Sequence, residues 1–520
     1  MTKRTRSKTT RAATTLAKDS HERQLDQQRL RRVVVENVHP QVDGGRFPIK
    51  RVAGETLTVS ADIHADGHDL LAAVVLYRRT GATEWREVPM TPIGNDRWQG
   101  TFPVEAIGRY DYTVEGWIDR FASWRYELSK KAGAGQDVAS ELLEGSALIR
   151  ELQELHATAA GIVQESGALL GDTAAAADVR TEAALSDALQ REMPGYPDRR
   201  HATRFEPVLQ VVVERERARF GAWYEMFPRS AGTDPSRSAT FNEAALRLPY
   251  VRSMGFDVLY LPPIHPIGRS FRKGPNNTLT PGPGDPGSPW AIGSEEGGHT
   301  AVEPGLGTIE DFDRFVAAAQ DHGLEIALDI AFQASPDHPY VREHPEWFRH
   351  RPDGTIKYAE NPPKKYQDIY PINFDSLAWQ ELWRELKQIF EFWIGHGVKI
   401  FRVDNPHTKP YRFWEWAIGE ITQQHPDTIF LSEAFTRPKV MRYLAKSGFS
   451  QSYSYFTWRT TKAELTEYFT ELTQTDVREY MRPNLFANTP DILHAYLQDG
   501  GRAAFQARLV LAATLGASYG

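Results

Sequence analysis

From about residue 220 onward the chain alternates short apolar runs with amphipathic stretches, and this alternation restricts the fold more than any other feature. The runs are FGAWYEMF (220–227), FDVLYLPPI (256–264), LEIALDIAF (324–332), VKIFRVD (398–404), TIFLSEAF (428–435) and NLFANTPD (484–491). Each has the length and the β-branched or aromatic content of a strand covered on both faces. Between most of them lie helical patterns such as FNEAALRLPYVRSM, IEDFDRFVAAAQDHG and FWEWAIGEITQQ. Strand then helix, repeated in one direction, specifies a parallel sheet, and this many units favour a closed (β/α)8 barrel of the TIM type. Chemistry in such barrels collects at the carboxyl ends of the strands, where Asp329, Asp404, Glu433 and Asp491 fall.

Upstream the grammar differs. From Val33 to about residue 125 the pattern has period two, as in Leu57, Val59, Ala61 and Ile63 or Tyr110, Tyr112 and Val114, which predicts an N-terminal β-sandwich. Residues 126–205 turn to Ala, Leu, Glu and Gln, with Leu148, Leu152 and Leu155 at helical spacing, and predict a helical segment with an apolar stripe suited to core packing or to a dimer contact. The barrel then spans 206–520, and the Pro-, Trp- and Tyr-rich stretch 335–374 is too long for a simple connection, so it reads as a small inserted domain. Residues 1–32 carry ten Lys/Arg against three Asp/Glu without an apolar core, which reads as a basic disordered tail and not as a secretory signal.

Composition excludes several classes. A net charge of -7 over 520 residues gives no general pull toward nucleic acid, and no apolar run approaches the ~18 residues of a membrane span. Zero cysteines remove disulfides, thiolate metal sites and thiol nucleophiles. The stretches HPEWFRH and SPDHP lack the paired histidines of a catalytic zinc site. No metal and no cofactor is expected, and the default location is cytoplasmic.

A barrel mouth lined with acids and no metal suits glycosidic chemistry. One carboxylate attacks or stabilises C1 and a second shuttles a proton, about 5 Å apart when configuration is retained. Asp404 and Glu433 lie 29 residues apart with one helix between them, so they sit on neighbouring strands. Arg402, two residues before Asp404, is placed to hold it ionised. A sugar phosphate dianion would further need a cation and fixed hydrogen-bond donors, which Lys364, Lys365, Tyr366 and Asn405 can supply.

FRVD at 401–404, LSEAF at 431–435, NTPD at 488–491 and DIAFQ at 329–333 resemble, in order and spacing, the four motif regions of glycoside hydrolase family 13, the α-amylase clan. Three departures point away from a plain amylase: Gln333 replaces the usual Asn, Pro490 stands where a His normally precedes the third acid, and no Lys-His pair follows Asp404. With RKGPNN (272–277), GSPWAIGS (287–294) and NPPKKYQDIYP (361–371), the sequence is similar to the branch of that clan that transfers maltosyl units from a sugar phosphate. The resemblance implies α-maltose 1-phosphate as donor and an α-1,4-glucan as acceptor. It implies Asp404 as nucleophile, Glu433 as acid/base, Asp491 as the group gripping the distorted ring, and Arg402 as the residue orienting Asp404. Ser288, Lys364, Tyr366 and Asn405 map onto phosphate contacts, and Lys273, Asn277 and Gln333 onto donor-sugar contacts. A homodimer is implied as well.

The chain ends at LAATLGASYG, where the eighth strand of a barrel is due. The expectation is a barrel incomplete at the C-terminus, with unpaired edges and without the β-domain usual in the clan. Two alternatives follow: an amylase-type hydrolase, or a fragment that binds glucan without turning it over.

Overall fold

The computed structural model describes residues 29–156 and 161–520. The expected basic tail lies, up to residue 28, outside the described residues. Arg32 does not behave as part of a tail, because it pairs with Asp66 (3.0 Å) and Asp69 (2.9 Å). Two compact units are present. One comprises the chain up to Arg46, Thr56–Pro103 and Arg109–Val211; the other comprises Phe47–Glu55, Val104–Gly108 and Val212–Gly520.

The first unit holds a four-stranded sheet in the order Val33–His39, Glu55–Ala65, Arg97–Val104, Thr91–Gly94. A second sheet contains Leu71–Arg79 between Arg86–Pro89 and Gly108–Ile118. The period-two residues Leu57, Val59, Ala61 and Ile63 are all fully buried, as are Tyr112 and Val114. Helices begin at Arg120 and not near 126, because the Asp119 carboxylate accepts from the Ala122 N–H (2.9 Å) and caps the first of them. They continue as Ala139–His156, Gly161–Gly171, Ala177–Ala184 and Asp187–Glu192, with Leu148 and Leu152 buried and Leu155 exposed. The sheet fold does not end with the helices: Thr203–Arg204 returns to pair with Gly108–Ile118.

The second unit is a closed barrel of eight parallel strands: Gly221–Glu225, Val258–Leu261, Glu325–Ile330, Ile400–Asp404, Ile429–Glu433, Gln451–Tyr453, Pro483–Leu485 and Ser518–Tyr519. The expected gap is therefore corrected. Ser518 and Tyr519 pair with Asn484 and Leu485 on one side and with Gly221 and Ala222 on the other, so two residues suffice to close the ring. The helices between strands follow from their sequences. In Ile309–Asp321, Thr308 and Asp311 form a reciprocal capping box, and Phe312, Phe315, Val316 and Ala319 bury one stripe. Trp379–Gly395 buries Leu382, Leu386, Ile389, Phe390 and Trp393, and Gly397 at φ 86 turns the chain into the fourth strand. No helix among the described residues is long and apolar enough to cross a membrane.

Alternation along the strands decides what fills the barrel. Trp223, Val258, Tyr260, Ala327, Ile400, Ile429, Leu431, Tyr453 and Phe486 form the inner cluster. Leu259, Leu328, Phe401, Val403 and Phe430 face the helices. Two residues beyond Trp223, Ala327, Ile400 and Leu431, the same inward direction delivers Glu225, Asp329, Arg402 and Glu433. Below the mouth the interior is apolar on the first five strands and carries buried Gln451, Asn484 and Ser518 on the last three; at the mouth it is ionisable.

Three histidines are buried beneath the loops beyond the second and third strands. The Tyr340 N–H donates to His338 Nδ1 (3.0 Å), so the proton of a neutral His338 lies on Nε2 and is donated to His299 Nδ1 (3.0 Å). His299 must then carry its proton on Nε2, which donates to the Ala331 carbonyl (2.9 Å). The chain of bonds works only with neutral rings. Gly293, at φ 102, and Gly298 admit the His338 ring, which a Cβ at either would strike. Burial lowers His265 to about 3 and His299 to about 4, and holds His338 well below the ordinary value.

Because these folded values lie below the unfolded one, each histidine's contribution is complete above about pH 6.5 and is lost as pH falls toward its folded value, by up to about 1.4 kcal/mol per pH unit. Glu225 and Asp329, whose values are raised to about 8 and about 7, act with the opposite sign over the same range. The measurement is therefore a difference. Urea midpoints of wild type and His299→Gln, taken from about pH 7 to about pH 5, should converge by about one proton's worth of slope as pH falls. A constant separation would remove His299 from the titration.

Candidate active site

Asp404 and Glu433 end the fourth and fifth strands and are direct partners in the parallel register. Neighbouring strands lie about 4.8 Å apart. That spacing suits the roughly 5 Å separation of the carboxyl pair in a retaining site. Arg402, one inward position below Asp404, donates from Nη1 to Asp404 Oδ1 (2.7 Å) and to Asp329 Oδ2 (2.9 Å), and its Nη2 lies 3.7 Å from Glu433 Oε2. The guanidinium sits 5.8 Å from the ring centres of both Tyr260 and Tyr453. Tyr260 also donates its hydroxyl to Asp329 Oδ2 (2.6 Å), so the second and third strands are tied to the same cation.

Asn405 follows the nucleophile candidate in a left-handed conformation, φ 43, which asparagine tolerates better than most residues. That turn points the Asn405 N–H at Glu433 Oε2 (3.1 Å) and its side-chain amide at Asp404 Oδ2 (3.1 Å). One residue thus orients both acids. The buried Lys409 ammonium donates to the Asp404 and Asn405 carbonyls (3.4 and 3.2 Å) and fixes the turn from below.

Electrostatics separate the groups. Burial works against the Arg402 charge, yet Asp329 and its other anionic neighbours outweigh it and keep the guanidinium protonated. Burial raises Glu433, with Arg402 pulling it down and Asp404 pushing it up. Burial likewise raises Asp491, which feels both Arg402 and Asp404 although it stands in the exposed segment after the seventh strand. Asp329 is pushed up to about 7 by burial against the pull of Arg402. A single guanidinium faces several carboxyl groups, so some of them hold protons near neutrality.

The other sequence-predicted residues fall in two places. Lys273, buried, donates to Gln367 Oε1 (2.9 Å) and lies 4.0 Å from Asp368, which ties it to the segment just beyond Tyr366. Lys364 and Tyr366 belong to a hairpin made by Ala359–Asn361 and Lys364–Tyr366, with Lys364 exposed and Tyr366 half-buried. Gln333 donates to the Trp290 carbonyl (3.0 Å), two residues from the half-buried Ser288. Asn277 is exposed at φ 62. Arg272 organises their loop by donating to the carbonyls of Gly268, Asp285 and Ile267. No hydrogen bond or ion pair among the described residues joins Asn277, Ser288, Lys364 or Tyr366 to the acid cluster. Trp347 and Phe348, in the Pro-, Trp- and Tyr-rich stretch 335–374, are buried core at 1% and 2% exposure.

Sequence reasoning missed Glu225, Tyr260, Tyr453 and Lys409. Glu225 and Tyr260 were detectable, being inward-facing by alternation from Trp223 and Val258; Lys409 left no periodic signal.

Residues 31–215 match the family model described as "Alpha-1,4-glucan:maltose-1-phosphate maltosyltransferase, domain N/S". The chain is similar to proteins named alpha-1,4-glucan:maltose-1-phosphate maltosyltransferase from three bacteria. That of Chlorobaculum tepidum is 56% identical over 492 residues, covering 94% of this chain and 73% of the relative. That of Myxococcus xanthus is 53% identical over 505 residues, covering 95% and 75%. That of Cereibacter sphaeroides is 54% identical over 491 residues, covering 94% and 82%.

Proposed function

The chain belongs to the α-1,4-glucan:maltose-1-phosphate maltosyltransferase family, and from that membership we propose how its barrel mouth moves a maltosyl unit from α-maltose 1-phosphate to the non-reducing end of an α-1,4-glucan. The supporting observation is the register pair Asp404 and Glu433 on adjacent strands, sharing Arg402 and bridged by Asn405.

The Asp404 carboxylate attacks C1 as the bond from C1 to the phosphate oxygen breaks, while Glu433, protonated, passes its proton to that oxygen. A β-maltosyl ester on Asp404 and free phosphate result. The Glu433 carboxylate then takes the proton of the acceptor 4-hydroxyl, whose oxygen attacks C1 and breaks the ester. Two inversions give an α-1,4 bond, and both acids return to their starting states. Arg402 holds the Asp404 carboxyl group aimed at C1, and Asp491 grips the ring hydroxyls. Lys364, Tyr366, Ser288 and Asn405 take the phosphate in this reading, and Lys273, Asn277 and Gln333 the donor sugar. Lys273 supports it by anchoring the loop that carries Asn277 and Ser288 to the segment beyond Tyr366, leaving two of its three ammonium hydrogens for ligand.

A homodimer belongs to the same reading, supported by exposed Leu143, Leu155, Ile162 and Val179 on the helices of the first unit. So does a cytoplasmic location.

The test is incubation with α-maltose 1-phosphate and a short maltooligosaccharide. Phosphate should appear in step with chains longer by two glucose units. Reducing sugar released from glucan without the phosphate donor would overturn the reading in favour of hydrolysis. The pH profile carries a further expectation. Phosphate departure needs Glu433 protonated, and its raised value extends that state to higher pH than an exposed glutamate allows. The donor half-reaction should therefore fall on the alkaline side, by about tenfold per pH unit once the proton is lost. In Glu433→Gln that limb should vanish, and a limb that survives would assign it to another group.

A further inference from the structure

The mechanism gives no task to Glu225, an acid at the barrel mouth. Glu225 is the last residue of the first strand, inward-facing by alternation from Trp223 and paired in register with Tyr260. It is only half-buried, so part of its carboxyl group reaches the open side of the barrel. Its carboxyl group forms no hydrogen bond or ion pair within the protein among the described residues. A structural acid at this depth is normally paired. Arg402 is already engaged by Asp404, Asp329 and Glu433, and Lys409 by the Asp404 and Asn405 carbonyls, and among the described residues neither pairs with Glu225.

The groups around Glu225 are known from each element facing it: Asp329 on the third strand, Arg402 on the fourth, Tyr453 on the sixth and Asp491 after the seventh. Tyr260, beside it on the second strand, spends its hydroxyl on Asp329. Burial pushes Glu225 up to about 8, with Arg402 pulling it down and Asp329 and Asp491 pushing it further up. Near neutrality it is a carboxylic acid with an O–H.

That matters because the remaining polar groups here mostly accept. Asp404 and Asp491, when ionised, offer only acceptors, and Arg402 Nη1 spends its hydrogens on Asp404 and Asp329, which leaves the buried Nε of Arg402 as a donor without a partner among the described residues. A glucosyl unit presents hydroxyl and ring oxygens that need donors as well. Resting on the transfer reading above for the ligand, we propose that Glu225 is a substrate-positioning residue, its carboxyl group hydrogen-bonding an oxygen of the glucosyl unit whose C1 Asp404 attacks.

The test separates this inference from the transfer reaction by using a neutral ligand. Wild type, Glu225→Gln and Glu225→Ala are titrated with maltose by calorimetry at about pH 6.5 and about pH 9.5, and the same proteins are assayed for phosphate release from α-maltose 1-phosphate. At the lower pH, E225A should bind maltose on the order of 30-fold more weakly than wild type, the cost of leaving a buried hydrogen bond unmade. E225Q, which keeps a neutral donor of similar length, should recover all but about fivefold of that loss. At the higher pH wild type should weaken by on the order of tenfold while E225Q holds its affinity, because only the carboxyl group ionises. In turnover the E225A loss should fall on KM for the donor more than on kcat.

E225A binding maltose as wild type does would overturn the proposal, as would E225Q as weak as E225A when both unfold at wild-type urea concentrations. Wild type failing to bind maltose would overturn it too. Wild type that binds maltose in the expected pattern but releases no phosphate would reject the transfer reading and leave Glu225's assignment standing.

Discussion

Asp404→Ala loses phosphate release from α-maltose 1-phosphate by on the order of 10⁴-fold or more, because without a carboxylate no maltosyl ester can form. The fold should survive the change. Asp404 caps a strand whose core contacts come from Phe401 and Val403 on the helix side and Ile400 in the barrel interior, none of which is touched. Removal of Asp404 also relieves Arg402 of one of its anionic partners while Asp329 and Glu433 remain. A loss from misfolding and a loss from missing chemistry can be separated by rescue. The truncated side chain leaves room on the β face of C1, where azide can attack and expel phosphate with help from Glu433. The product would be β-maltosyl azide, one equivalent per phosphate released. Azide-dependent phosphate release in Asp404→Ala, absent in wild type, fixes Asp404 as the attacking group. Turnover within tenfold of wild type would remove it from the mechanism.

How far the sequence reveals such a site depends on what holds each strand. The first five barrel strands were legible because their cores are runs such as Val258–Leu261 and Ile429–Leu431, long enough and apolar enough to stand out. The sixth and eighth were not. Gln451–Tyr453 and Ser518–Tyr519 are short and largely polar, and a side-chain network binds them where apolar packing would be expected. Gln451 Nε2 donates to the Ala218 carbonyl (3.1 Å) and to Ser518 Oγ (3.0 Å), while Asn484 Nδ2 donates to Gln451 Oε1 (3.0 Å). Such partners are distant in sequence, and no periodicity announces them. The expectation of an open barrel came from this blind spot.

The site divides along the same line. Asp404 and Glu433 were found because strand ends and the βα spacing locate them. Asn405 was found by resemblance, but for a phosphate contact; its bridging of the two acids depends on a left-handed turn that one sequence does not specify. The histidine chain joins residues 299, 338 and 331 through tautomers, which only coordinates disclose.

Arg402→Leu should be the most destabilising single change at the mouth. The side chain is buried, and it is the shared cation of Asp329, Asp404 and Glu433. Leucine fills part of the volume but leaves those carboxyl groups without compensation, a loss of about 4 kcal/mol for a broken buried ion pair. The deficit must depend on pH. Without the guanidinium the folded-state values of Asp329, already about 7, and of Glu433 rise further above their unfolded values. A raised acid contributes stability only below its folded value, where the folded chain keeps a proton that the unfolded chain releases, and that contribution is lost as pH rises. The variant should accordingly lie nearest wild type at about pH 5, where most of these acids are neutral, and fall away steadily toward about pH 9. Urea midpoints across that range measure it. Arg402→Lys, which restores one charge without the planar fork, should recover only part of the difference. A deficit independent of pH would mean that the guanidinium acts by packing against Tyr260 and Tyr453 and not by holding the acids ionised.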